Sequence, residues 1–131
     1  MLDDALYPPK NDKYPNLWGK RILVVEDDAV IAVDYYFHLR KVGAMPQAYE
    51  PTNKAALDYL AGHKVDAAIV DYRLCDGPCD AVLQLLQRLG VPFVVVSCCT
   101  HETRGSVGTS QVLLKPAQPD EVWRALSEVL Q

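Results

Sequence analysis

The stretch that decides the fold is VDAAIVDYRLCDG, residues 65–77. After Val65, residues 67–70 are small or apolar, and the run stops on a carboxylate, Asp71. An apolar run with no polar alternation is the pattern of a strand covered on both faces in a parallel sheet. A charge where such a strand ends needs a reason.

Working outward, the same pattern recurs. Residues 21–26, RILVVE, form an apolar run that ends on Glu26, with Asp27 and Asp28 next; residues 92–97, PFVVVS, end on Ser97. Residues 111–114 run into Lys115 and Pro116, and 45–49 read as a weaker strand. Helical spacing fills the gaps. Residues 29–42 repeat apolar positions at Ile31, Tyr35, Leu39 and Val42 and stop at Gly43; 54–60 follow a capping Thr52 or Asn53 and end near Gly62. Residues 80–89 close on Gly90, and 120–130 form a last helix with Pro119 at or near its N-cap.

Strand and helix alternation predicts a parallel sheet with right-handed crossovers and helices on both faces. The connection CCTHETRGSVGTS, residues 98–110, has Val107 as its one long aliphatic residue. It is long enough to cross the sheet, mostly as loop, so the helix expected there is short, frayed or absent. Residues 1–19 carry Pro8, Pro9 and Pro15 with no helical or strand period, and read as a flexible extension before a domain at 20–131. Leu6, Tyr7, Tyr14, Leu17 and Trp18 in that arm offer docking groups, but the expectation is a mobile arm.

Composition narrows the function. At 131 residues the length suits one domain, and 50% hydrophobic residues with 23% charged is a globular balance. Net charge is −4 with scattered basic residues, which argues against nucleic acid. No apolar run reaches the roughly 18 residues of a membrane helix and no secretory pattern opens the chain, so the expectation is cytoplasmic. Cys75, Cys79, Cys98 and Cys99 then read as small buried or half-buried thiols; C-x₃-C with adjacent cysteines is not a zinc spacing. His38, His63 and His101 read as surface or packing residues, and Trp123 as a tucked aromatic or an interface anchor.

In an open parallel sheet, ligands bind beyond the carboxyl ends of the strands. That edge collects Glu26, Asp27, Asp28, Asp71, Ser97 and Lys115. Crowded carboxylates disfavour one another's ionisation, and one lysine does not balance them. A hard divalent cation does; oxygen ligands that leave room for water and phosphate oxygens suit Mg²⁺. Asp71 then becomes a candidate nucleophile toward a phosphoryl group, with Lys115 pairing its oxygens and the Ser97 hydroxyl donating to one. Asp28 also reads as a helix-start acid.

With these residues in order, the chain resembles a response-regulator receiver domain of two-component signalling: ILVVEDD, IVDYRLCDG, VPFVVVS and LLKP follow one another at fitting intervals across residues 20–131. The resemblance implies a flavodoxin-like (CheY-like) five-stranded parallel sheet of order 2-1-3-4-5. It implies Glu26 and Asp27 as the acidic pair at Mg²⁺, Asp71 as phosphoacceptor and metal ligand, and Arg73 as a backbone-carbonyl ligand. Ser97 becomes the switch hydroxyl and Lys115 the phosphoryl contact. Pro116 is commonly cis in the family. Asp28 matches no functional position. The implied partners are a sensor histidine kinase or phosphotransfer protein and a downstream protein, for a monomer or weak homodimer that promotes only its own phosphorylation and dephosphorylation.

Two departures stand out. Val112 occupies the place of the usual aromatic three residues before the lysine, which puts the usual switch in doubt. The fourth strand loosely resembles the alphaproteobacterial stress-signalling branch with a Phe-Ala-Thr-Gly-hydrophobic-Tyr motif, often found as stand-alone receivers. Three other readings compete. A degenerate receiver could act as a constitutive protein-binding module. An aspartate-nucleophile phosphatase would want a second Asp where Arg73 stands. A flavin carrier would want a glycine- and hydroxyl-rich phosphate loop where Glu26, Asp27 and Asp28 would repel it.

Overall fold

A computed structural model describes residues 13–98 and 111–130. Its strands are β1 (Arg21–Val25), β2 (Met45–Glu50), β3 (Ala67–Asp71), β4 (Phe93–Ser97) and β5 (Gln111–Leu114). The helices are α1 (Ala29–Lys41), α2 (Asn53–Gly62), α3 (Asp80–Leu89) and α4 (Pro119–Val129). All five strands are parallel, in the order β2-β1-β3-β4-β5. This is the expected doubly wound sheet, and β3 lies in its middle.

The continuous apolar runs explain the layering, because successive side chains of a strand point to opposite faces. Ile22 and Val24 of β1, Ala67 and Ile69 of β3, and Val94 and Val96 of β4 pack under Leu39 of α1 and Val122, Trp123 and Leu126 of α4. Leu23 and Val25, Ala68 and Val70, and Phe93 and Val95 face the other way, under Ala56 and Leu60 of α2 and Val82, Leu83 and Leu86 of α3. Both faces of β1, β3 and β4 are covered, so these three strands have nowhere to expose a polar side chain except at their ends. β2 bonds to β1 alone, and at this edge Pro46 sits beside an irregular step in the pairing.

Helix boundaries follow local chemistry. Asp28 is the N-cap of α1, accepting from the amides of Val30 at 2.9 Å and Ile31 at 3.3 Å. Thr52, of the two candidate residues, caps α2 by accepting from Ala55 N. Gly90 ends α3 at φ +72°, where a side chain would be strained. Gln118 and Glu121 form a capping box around Pro119 at the start of α4.

Two expectations change, and between them one unforeseen element appears. First, residues 13–19 are not a loose arm: Tyr14 and Leu17 are buried, and Pro15–Leu17 form a 3-10 turn. Lys13 pairs with Asp120 at 2.8 Å, Asn16 donates to the Ser127 carbonyl at 2.6 Å and Ser127 Oγ donates to Asn16 Oδ1, so the segment lies along α4. The apolar groups won because α4 leaves a seam that they fill; the remainder of the arm lies outside the described residues. A hairpin of Arg73–Leu74 against Gly77–Pro78 folds the loop after β3. Asp76 at its tip bonds the amides of Asn53 and Lys54, tying that loop to the start of α2. Second, Cys79 is buried but Cys75 and Cys98 are exposed, and the three form no disulfide. The expected loss of the crossover helix, with Cys99 and His101, falls outside the described residues.

Trp123 is tucked, meeting the Tyr35 ring edge-on at 6.1 Å. His63 stacks on Tyr59, as a packing histidine does. Among the described residues no helix is long and apolar enough to cross a membrane.

Candidate phosphoryl site at the carboxyl edge

Each candidate side chain is placed by the last backbone bonds of its strand. Glu26 N bonds Glu50 O at 3.0 Å, Tyr72 N bonds Val96 O at 3.0 Å, and Lys115 N bonds Ser97 O at 2.8 Å. These bonds continue the ladders one step past the strands, so the ends of β1, β3, β4 and β5 lie level. Glu26, Asp71 and Ser97 are buried and Asp27 is exposed.

One carboxylate oxygen from each of Glu26, Asp27 and Asp71 lies within 4.8 Å of the others. Lys115 Nζ stands 3.1 Å from Asp71 Oδ1. Beside them a cavity of about 70 Å³ is lined by Asp71, Tyr72, Arg73, Ser97, Cys98 and Lys115. Glu26, Asp27, Asp71, Arg73, Ser97 and Lys115 thus lie together at this edge. Asp28 does not join them; it caps α1, while its own amide donates to Glu26 Oε2 at 3.1 Å and fixes that carboxyl. Tyr72 and Cys98 were not foreseen as lining residues. Their signal was present, since each directly follows a strand-end candidate, but neither carries a charge that the site's chemistry demands.

Electrostatics at this edge is strained by its own crowding. Burial first, then the neighbouring Asp71 carboxylate, pushes Glu26 up to about 7, against the pull of the Asp28 amide and Lys115. Burial pulls Lys115 down, but its bond and charge contact with Asp71 outweigh this and hold its ammonium above the usual lysine range. Charges of Glu26 and Asp71 add to the effect of burial in raising the Tyr35 phenol. One ammonium thus faces three carboxyl groups. The donor set fits a hard divalent cation: all oxygen, two carboxyls buried, one exposed to the water that Mg²⁺ retains.

No protein-family model and no curated protein matches the chain. Solved structures do. A response regulator receiver protein from Sinorhizobium medicae is 24% identical with a TM-score of 0.79, covering 86% of this chain and 94% of that one. SdrG from Sphingomonas melonis is 30% identical with a TM-score of 0.73, over 86% of this chain and 98% of its own. The chain belongs to the response-regulator receiver family.

A third neighbour, the PhyR stress response regulator, is 27% identical at a TM-score of 0.70 over 86% of this receiver, which spans 45% of PhyR. Within the receiver fold two local features of this chain bear on the site. Val112 pairs with Val95 in the sheet and is half-buried against the α2 and α3 face. The Lys115–Pro116 peptide is cis.

Proposed function

We propose that this receiver takes a phosphoryl group from a phosphohistidine of a sensor histidine kinase or phosphotransfer protein onto Asp71, with Mg²⁺ required. It then signals by binding a protein partner or drains phosphate as a sink, and promotes only its own phosphorylation and dephosphorylation. The observation that carries this reading is the placement of a buried Asp71 between two further carboxyls and Lys115 Nζ, 3.1 Å away, beside a cavity of phosphoryl size.

In the transfer, an Asp71 carboxylate oxygen attacks phosphorus, the P–N bond of the donor breaks, and its electron pair returns to the imidazole. Strand β3 holds that oxygen rigidly in line. Lys115 leaves Asp71 for the phosphoryl oxygens, and the Ser97 hydroxyl donates to one of them. Glu26 and Asp27, with Asp71 and the Arg73 carbonyl, would hold the cation. A bound divalent cation supplies neutralisation of the phosphoryl charge that three carboxylates would otherwise repel.

A constitutive protein-binding module is the second reading, favoured by one observation: Val112, with no ring to rotate, stands where the family's reporter aromatic usually does. The two separate by intact mass after acetyl phosphate with Mg²⁺. One added phosphoryl group, absent in Asp71→Asn, supports acceptance at Asp71; no adduct with any donor supports the module. Repeated turnover of a small phosphomonoester would instead point to a phosphatase.

A further inference from the structure

A two-stranded hairpin is marginal in water, and the one that follows Asp71 has only two residues on each side, Arg73–Leu74 against Gly77–Pro78. What holds it is the start of α2. Asp76, between the two arms, accepts from Asn53 N at 2.9 Å through Oδ1 and from Lys54 N at 3.2 Å through Oδ2, so a carboxylate from a distant loop takes the first two amides of that helix. Thr52 takes the third, accepting from Ala55 N. Asn53 returns the contact: its Nδ2 lies 3.1 Å from Asp76 Oδ1, 3.2 Å from Gly77 O and 3.0 Å from Pro78 O. Three oxygens around one nitrogen settle which end of the amide faces the hairpin. Among the described residues nothing donates to the buried Asn53 Oδ1, so this side chain is placed for donation alone.

At the base of the hairpin, Cys79 N donates to Tyr72 O at 2.8 Å. Antiparallel pairs alternate between those that exchange backbone bonds and those whose backbone groups turn outward, and the next pair is Arg73 opposite Pro78. Pro78, with no N–H to give, suits that position. The Arg73 carbonyl therefore leaves the hairpin on its outer edge, and Arg73 lines the phosphoryl cavity. We propose that Asn53 and Asp76 are positioning residues of the cation site: by clamping the hairpin to α2 they aim the Arg73 carbonyl at Mg²⁺. This rests on the reading of that carbonyl as a metal ligand. Neither Asn53 nor Asp76 lines the cavity itself. A backbone ligand on a short loop binds well only if its direction is set before the ion arrives, and partners behind the ligand are what set it.

The test is a Mg²⁺ titration of the full chain at pH 8, followed by two-dimensional amide NMR with no phosphodonor present. Asn53→Ala, which removes no charge, and Asp76→Ala are each expected to raise the Kd about tenfold. Asp76→Asn keeps one oxygen for the helix amides and should recover part of the loss. Thr52→Ala is the structural control: it strips α2 of its own cap without touching the hairpin, and should leave the Kd unchanged. Wild-type affinity in Asn53→Ala would overturn the proposal even if Asp76→Ala binds worse, since an exposed carboxylate attracts a cation at a distance. An equal loss in Thr52→Ala would also overturn it, by tracing the effect to the stability of α2. These failures leave Mg²⁺ binding by the wild type intact; a wild type that binds no Mg²⁺ would instead sink the acceptor reading and the clamp with it.

Discussion

Strand β3 begins just after one aspartate and ends on another, and the two are held in opposite ways. Asp66, at the amino edge, accepts from Arg21 N at 2.7 Å and from Arg21 Nε and Nη2 at 3.2 Å each. Those bonds to Arg21 hold its carboxyl below the usual range, with burial only a partial offset. Asp71, at the carboxyl edge, shares one ammonium with Glu26 and Asp27, and burial with crowding drives Glu26 upward. The amino edge is a closed account of donors and acceptors; the carboxyl edge is left short of positive charge. Structural ion pairs look like the first, and sites that wait for a cation look like the second.

The largest expected effect is a pair of opposed pH dependences. Glu26 holds its proton to about pH 7 in the folded chain, against about 4.5 when exposed. The folded state thus binds more protons than the unfolded one across that window, so stability is full below about 4.5 and falls as pH rises through 7. The loss is about 3 kcal/mol at most, read as the difference in urea stability between the wild type and Glu26→Gln from pH 4.5 to 8 without divalent ions. Asp66 runs the other way. Its carboxyl is lowered, so its contribution is present above about 3.8 and is lost only as pH falls below that value. A wild-type-minus-variant difference flat from 4.5 to 8 would remove the claimed asymmetry.

Substitution should give opposite signs at the two ends. Asp66→Ala strips the Arg21 amide and guanidinium of their acceptor and should cost about 2 kcal/mol. Asp71→Asn relieves like charge beside Glu26 and should stabilise the metal-free protein by about 1 kcal/mol, despite the lost contact with Lys115. Chemical denaturation at pH 7.5 in EDTA reads both. Two destabilisations of similar size would mean that Asp71 is as structurally satisfied as Asp66.

Added Mg²⁺ sharpens the contrast further. Saturating cation should raise the thermal midpoint by a few degrees at pH 8, because binding to the folded state alone stabilises it. The rise should shrink at pH 6, where the Glu26 proton competes, vanish in Asp27→Ala, and survive unchanged in Asp66→Ala.

How much of this was legible in the sequence differs between the same two edges. The carboxyl edge could be read because a buried strand forbids charge along its length, so Glu26, Asp71 and Lys115 announce its end by type alone. The five strands followed from apolar runs, and Asp28 as a helix-start acid from the helix dipole; its bonds to the Val30 and Ile31 amides came only with the structure. The Arg21–Asp66 fork could not be read: 45 residues separate the pair, and each looks like an ordinary surface charge until β1 and β3 are neighbours. The docking of Tyr14 and Leu17 was offered by residue type but set aside for a related reason. Prolines at 8, 9 and 15 erase any period, and what holds the segment is the seam beside α4, which no local pattern encodes. Asp76 bonding to the start of α2 depends likewise on a loop conformation fixed by the hairpin.

The smallest stability effect discriminates the two cations. Arg21→Lys keeps a charge beside Asp66 but replaces a fork that bonds both carboxylate oxygens with a single point, so it should destabilise by much less than Asp66→Ala does. Lys115→Arg should change stability even less, since its side chain is one-third exposed and an ammonium or a guanidinium can each pair with Asp71. Its effect belongs to transfer instead. A planar, bulkier head beside a cavity of about 70 Å³ displaces the phosphoryl group it should contact, so labelling by acetyl phosphate should slow about tenfold. If Lys115→Arg destabilises as much as Arg21→Lys and labels at the wild-type rate, the two edges use their cations alike, and the carboxyl edge loses its claim to be built for a ligand.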